Sequence, residues 1–360
     1  MENLIEPDFY HRYGGTLGES DVVALGLDAY RNEVKECMLP KNWGVSPLLK
    51  IVEGAADFEI INSELCNARA FIIGDRECFG VNWGLIQVMR LFSYSMLHDP
   101  KVFEGIVPSR ETRVDKTLGI NLRSPYSVDL TDLSQFHPGV QSRFFIAEDM
   151  VWLAFSYITH HELGHIAACH IPYLNSIGDR SDTIAELGYV PSAPGEALRR
   201  RCLELDADRP GLIFSYKVSE RFVERAQNPE VTADNHVELW AAAIYLALAV
   251  MDLLGNQGSG DLATHPSPDV RLTNALILAS REQEAGGGLR AEKERVFDGV
   301  NEVRRWWIRR GLPIFFHNGK WEQAEAEVLT LRNEYNEIRD DLLALIMQRY
   351  LRISQQQGWT

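Results

Sequence analysis

An α+β fold, mainly helical, with a small antiparallel or mixed sheet and a C-terminal helical hairpin, is predicted from three observations. Short runs rich in β-branched and aromatic residues cluster between residues 57 and 82. Apolar segments long enough for helices fill residues 146–280. From about residue 290 to 350 apolar residues alternate by three and four, the spacing of a helix with one buried stripe.

Residues 1–56 read as a mixed N-terminal region, with helical spacing in Asp21 to Met38. FEIINS, ARAFIIG and CFGVN read as strands, with a turn at Gly74 to Glu77, and Trp83 to Leu97 reads as a helix. Residues 99–145 are rich in Pro, Ser, Asp and Arg and read as an insertion or lid within a unit spanning 57–280. Leu239 to Leu254 is apolar, but its uninterrupted part ends before Asp252, short of the roughly 20 residues a membrane span needs, so it reads as a core helix. In the last region, 281–360, Trp321, Ala324, Val328, Leu331, Tyr335, Ile338, Leu342 and Leu345 form one seam and Val296, Val300, Val303 and Trp307 a second. Such a hairpin packs on the body or on itself, or serves as a homodimer or partner arm.

The 360 residues are 45% apolar and 24% charged, which suits a globular chain with a sizeable core. The formal net charge of −15 argues against nucleic acid and anionic membrane surfaces as partners. The one basic patch, RRWWIRR at 304–310, fits either a partner surface or one face of an amphipathic helix. Five cysteines at wide spacings, without a Cys-x-x-Cys pair, fit free thiols in a reducing cytosol. The N-terminus lacks the basic-then-apolar pattern of a signal peptide, and the expected location is cytoplasmic.

The chemistry concentrates in His161-Glu162-Leu163-Gly164-His165. Histidines at i and i+4 share one helix face one turn apart and can bind one Zn²⁺ through nitrogen. Glu162 is placed to act as general base on a water at that site. Metallopeptidases of the HExxHxxGxxH type need Gly and His where this chain has Ala168 and Ile171, so that class is excluded. His170, five residues past His165, falls on another helix face and reads as solvent-facing or capping. The third ligand is sought in CLELDADRPG, where Glu204 and Asp208 again lie i, i+4. Glu204 is the candidate ligand, Asp208 the acceptor for the far ring nitrogen of a ligand histidine, and Asp206 the alternative in another register.

With HELGH followed by ELDAD, the sequence resembles the gluzincin metallopeptidases. The closest pattern is the M48-like group, which contains the heat-shock and CaaX-type membrane proteases and their soluble relatives. THPSPDVRL at 264–272 looks like that group's T-H-P-x-x-x-x-R-[IL] element, and Asn67-Ala68-Arg69-Ala70 with Gly84-Leu85-Ile86 is similar to its N-A-x-A strand and following helix. A soluble bacterial peptidase of the phage-exclusion type (Lit-like, U49) is also similar around HELGHIAACHIPYL and LELDAD. These resemblances imply a zincin-type catalytic domain, a zinc cofactor, an intracellular protein or peptide substrate and a defence role. They place His265 near the metal, where an imidazole can stabilise an oxyanion. Arg271 would anchor that loop by an ion pair. The membrane helices of the membrane-bound members are missing, and 99–145 and 285–360 have no counterpart.

The reaction expected is peptide hydrolysis, with the substrate adding a strand at an edge formed by 69–74 or 78–82. A zinc-site sensor or binding protein without turnover is the rival class. A closed structural zinc site would need a fourth protein ligand, and none is evident.

Overall fold

The computed structural model describes residues 15–37, 56–73, 76–107, 122–124, 127–128, 138–179, 183–185, 194–225, 229–255, 263–284, 292–312 and 321–356. Gly74 and the next residue of the expected turn, and most of the expected insertion, lie outside these, while Arg76 and Glu77 of that turn begin a strand. Within the insertion, β4 (Leu122–Ser124) and β5 (Ser127–Val128) pair antiparallel.

The helical stretch expected at Asp21 to Met38 is two helices, α1 (Glu19–Ala24) and α2 (Asp28–Cys37). Gly26 separates them at φ 61°, in the left-handed region that glycine enters without a Cβ clash. Arg90 fixes this break by donating to the carbonyls of Leu25 at 2.8 Å and Gly26 at 2.9 Å.

Strands β1 (Ala56–Ile61), β2 (Ala68–Ile73) and β3 (Arg76–Asn82) and helix α3 (Trp83–His98) form where the residue pattern places them. The sheet order is β1-β3-β2-β6, with β6 at Thr183–Ala185. β3 runs parallel to β1 and antiparallel to β2, and β2 pairs antiparallel with β6 through Arg69↔Ala185, Ala70↔Ile184 and Phe71↔Thr183. This corrects the expectation of an edge at 69–74 or 78–82, because β2 and β3 are interior and, among the described residues, the edges are β1 and β6. The physical reason is burial on both faces: Ala68, Ala70 and Phe71 of β2 and Cys78, Phe79 and Val81 of β3 are all enclosed. At three residues, β6 is too short to show a period in the sequence.

Helix α4 (Gln141–Ala167) starts inside the expected insertion and runs through the middle of the molecule. It is buried around most of its circumference from Ile146 to Ile166, which explains why it reads as apolar on every face. It packs against β2, β3, α3, α6 (Pro194–Arg225) and α7 (His236–Gly255), and is followed by the short α5 (His170–Ser176). Among the described residues, one helix, His236–Leu254 within α7, is long and apolar enough to cross a membrane, and 83% of it is buried inside the protein. That matches its reading as a core helix.

Helices α8 (Pro268–Glu284), α9 (Lys293–Arg309) and α10 (Trp321–Gln356) complete the chain. The C-terminal pair packs on the body: α9 lies on α7, and α10 on α6 and α8. Val296, Val300, Val303 and Trp307 of one seam and Ala324, Val328, Leu331, Ile338 and Leu342 of the other are buried. RRWWIRR proves to be a helix with one core face. Trp306 and Trp307 are fully enclosed beside Phe92, while Arg304, Arg305 and Arg309 pair with Asp269, Glu302 and Asp99. Each indole removes about 150–250 Å² from water, worth at most about 4–6 kcal/mol before entropy. One apolar cluster extends from Leu17 to Leu342 and surrounds the motif-bearing part of α4.

Candidate metal centre

The site exists because α4 and α6 approach closely, and the small residues of both motifs permit it. A Cβ added to Gly164 would lie 2.8 Å from Pro210 Cγ, 2.9 Å from Ala207 O and 3.1 Å from Ala207 Cα. One added to Gly211 would lie 2.8 Å from the carbonyl oxygen of Tyr157. Gly164 on α4 and Ala207 with Gly211 on α6 therefore form the seam of the helix pair. Side chains one turn to either side of that seam then meet across it.

Those side chains are His161, His165 and Glu204, all buried, whose ligand atoms lie within 4.8 Å of one another. His161 Nε2 is 3.0 Å from His165 Nε2 and 3.1 Å from Glu204 Oε2, and His165 Nε2 is 3.5 Å from Glu204 Oε1. Asp208, one turn beyond Glu204, sits 3.0 Å from the other ring nitrogen of His161. Asp208 also accepts from the Tyr157 hydroxyl and from Arg271, through Nε at 3.1 and 3.0 Å and Nη2 at 2.6 Å. The four sequence-predicted residues are thus brought together, with Asp208 behind His161 as expected.

The proton positions follow from these contacts. Burial would raise the Asp208 carboxyl, but the Arg271 guanidinium and His161 outweigh it and bring it down to about 2. An ionised carboxylate can only accept, so His161 Nδ1 carries the proton. Arg271 Nη2 also passes 3.3 Å from Nδ1, but its shorter bond is to Asp208. His161 Nε2 faces Glu204. Burial would raise the Glu204 carboxyl too, yet the neighbouring imidazoles of His265, His165 and His161 hold it well below the usual range. Burial pushes His165 down to about 3, against the pull of Glu204, so it is neutral. A neutral His165 and an ionised Glu204 are in the states that metal ligation requires. Lone pairs of two imidazoles and a carboxylate converging in a buried space repel one another unless a cation lies between them. The donor set therefore fits a metal ion.

The residues before α8 supply the remaining parts. Ser267 Oγ accepts from Val270 N–H at 3.4 Å as the helix cap, and Pro268 takes the first helical position, where its missing N–H costs nothing. This start aims Arg271 at Asp208, as its expected ion pair. His265 Nε2 reaches 3.3 Å from Glu204 Oε2, and its Nδ1 lies 2.9 Å from Thr264 Oγ1. With 23% of its side chain exposed, His265 is the most accessible member of the group, whereas Glu162, adjoining His161, is buried.

His160, left without a role by the sequence, is a packing residue. It stacks on Phe214 at 4.3 Å, its Nδ1 bonds the Ser156 carbonyl at 2.7 Å, and burial lowers its pKa to about 4. His170 is not solvent-facing: it is fully buried, with Nδ1 2.9 Å from His165 Nδ1 and Nε2 3.2 Å from Asp206 Oδ2. α4 stops at Ala167 and Cys169 adopts φ 57°, which turns the chain back and carries His170 beneath His165. No glycine marks that turn. Asp206 is accordingly not a ligand. Tyr157 is the other contributor that the motifs do not announce, one turn before His161 on the same helix face.

Residues 129–286 match the family model described as Peptidase U49, a stretch holding every residue of the candidate metal centre and supporting a peptidase. No curated protein and no solved structure matches the chain.

Proposed function

We propose that the protein is a zinc-dependent endopeptidase of gluzincin type that hydrolyses peptide bonds in an intracellular protein. The observation that carries this reading is the convergence of His161 Nε2, His165 Nε2 and the Glu204 carboxylate in one buried space. Two imidazoles and one carboxylate are the donor set of catalytic zinc, which keeps its fourth position for water or substrate. When bound, zinc supplies a Lewis acid that polarises the scissile carbonyl and lowers the pKa of water toward about 7. Glu162 takes a proton from the attacking water and delivers it to the leaving amine nitrogen as the C–N bond breaks. His265 donates to the oxyanion that forms on the former carbonyl. Asp208, held by Arg271 and Tyr157, keeps the proton of His161 on Nδ1.

The substrate adds a strand at the β6 edge, the short strand that closes the β2 side of the sheet. Similarity to the soluble phage-exclusion peptidases supports a defence or regulatory role in the cytoplasm, with the C-terminal helices as a surface for a second copy or a partner.

Glu162→Gln is the test. The variant is expected to bind one metal ion per chain with unchanged affinity and to lose cleavage of a peptide library by about 10²-fold or more. Cleavage retained by this variant would exclude the mechanism. A wild-type chain that holds metal but cleaves nothing would instead be a zinc-site sensor.

A further inference from the structure

We infer that His170 is a positioning residue, anchored by Asp206, which fixes the proton of His165 on Nδ1 and so turns the His165 Nε2 lone pair to the metal. The inference rests on the metal-site reading above. The two candidate ligand histidines are supported differently. His161 leans directly on a carboxylate, at 3.0 Å from Asp208. Among the described residues no carboxylate reaches the far nitrogen of His165, which meets a second imidazole 2.9 Å away. That imidazole in turn places Nε2 3.2 Å from Asp206. The Tyr335 hydroxyl of α10 hydrogen-bonds Asp206 at the outer end.

Only one proton arrangement satisfies this chain with neutral rings. Asp206 accepts, so His170 Nε2 carries the proton and His170 Nδ1 is a lone pair. His170 Nδ1 must then receive the proton of His165 Nδ1, which leaves His165 Nε2 bare. The opposite arrangement puts a lone pair of His170 against the Asp206 carboxylate and a proton of His165 Nε2 toward His161. The bond between His165 and His170 lies where His170 is 0% and His165 1% exposed, so water does not substitute for it. The route through His170 is possible only because Cys169 takes the left-handed conformation. It also extends the support of the site to α10, beyond the stretch that matches the family model.

The test uses the full chain with His170→Leu, His170→Asn, Asp206→Asn and Asp206→Ala, and His161→Ala as the metal-loss control. Zinc affinity is read by chelator competition, the ligand field by the visible spectrum of the Co²⁺ form, and folding by circular dichroism without metal. His170→Leu is expected to weaken zinc by about 10- to 100-fold and to shift the cobalt bands. His170→Asn, whose Oδ1 can accept where Nδ1 did, should recover most of that affinity, and Asp206→Asn should fall between. Wild-type affinity and cobalt spectrum in His170→Leu, with metal lost in His161→Ala, would overturn the inference and leave the metal site standing. If His170→Leu does not fold, Asp206→Ala, which leaves His170 Nε2 without its acceptor, decides, and an unchanged spectrum and affinity there would overturn it. Unchanged affinity in His161→Ala would overturn the metal-site reading itself.

Discussion

Replacing Gly164 by Ala adds one methyl group at the tightest point of the α4–α6 seam. Carbon contacts are comfortable at about 3.5–4.0 Å, whereas the new Cβ would stand 2.8 Å from Pro210 Cγ and 2.9 Å from the Ala207 carbonyl. Two of the three nearest atoms are backbone and the third belongs to a rigid ring, so the helices must part locally by about half an ångström. Overpacking of this kind costs about 1–3 kcal/mol, and the better helix propensity of Ala returns about 1 kcal/mol. The metal-free variant should therefore be less stable by up to about 2 kcal/mol. The loss should be larger with metal present, because His161 and His165 lie on one side of the seam and Glu204 on the other, and metal sites tolerate displacements of only about 0.2 Å. Urea denaturation with chelator and with saturating zinc measures both quantities. Gly195→Ala is the control: it lies in the first turn of α6 with nothing within 4 Å of an added Cβ, and should be neutral or slightly stabilising. A Gly164→Ala protein stabilised in both conditions, as propensity alone would give, refutes the reasoning.

Arg271→Met leaves the Asp208 carboxylate buried without its cation and should cost about 3–5 kcal/mol in urea unfolding. Adding Asp208→Asn should cost much less than its own single effect, and strict additivity would exclude the pairing as the cause. Elsewhere, burial and then the charges of Asp298 and Glu302 raise the Glu238 carboxyl from 4.5 to about 7, with Arg295 and Arg305 opposing. The folded state thus holds a proton that the unfolded state releases first, and stability falls as pH rises from about 4.5 to about 7. Glu238 is partly exposed, so screening limits the effect to about 1 kcal/mol. Glu238→Gln should remove this fall and melt higher than wild type near pH 8; melting curves that stay parallel across that range would refute it.

The parts of the fold legible in the sequence are those whose burial is one-sided or complete. The seam Ala324, Val328, Leu331, Ile338, Leu342 repeats because one face of α10 meets α6 and α8 while the other meets water. α7 is legible because an apolar run of that length cannot be left in water, and 83% of it is buried inside the protein. The edge of the sheet was not legible. An edge strand is recognised by a polar face, but β6 has three residues, and β2 and β3, chosen for their strong pattern, are strong because they are covered on both sides.

The same distinction separates the parts of the site. Glu204 and Asp208 follow from helix periodicity, since residues four apart on α6 face α4 together, and the i, i+4 histidines of α4 answer them. His170 could not be found that way. On a continuous helix its position five residues beyond His165 points it elsewhere, and only the left-handed Cys169 brings it back. Asp206, two residues from either neighbour in ELDAD, points away from the ligand face and is therefore free to meet a group arriving from α5. Three acidic residues at spacing two thus divide between three tasks: Glu204 toward the candidate metal position, Asp208 toward His161, and Asp206 toward His170. A run that reads as a solvated acidic stretch when taken alone lies, in the folded chain, against both candidate ligand histidines and His170.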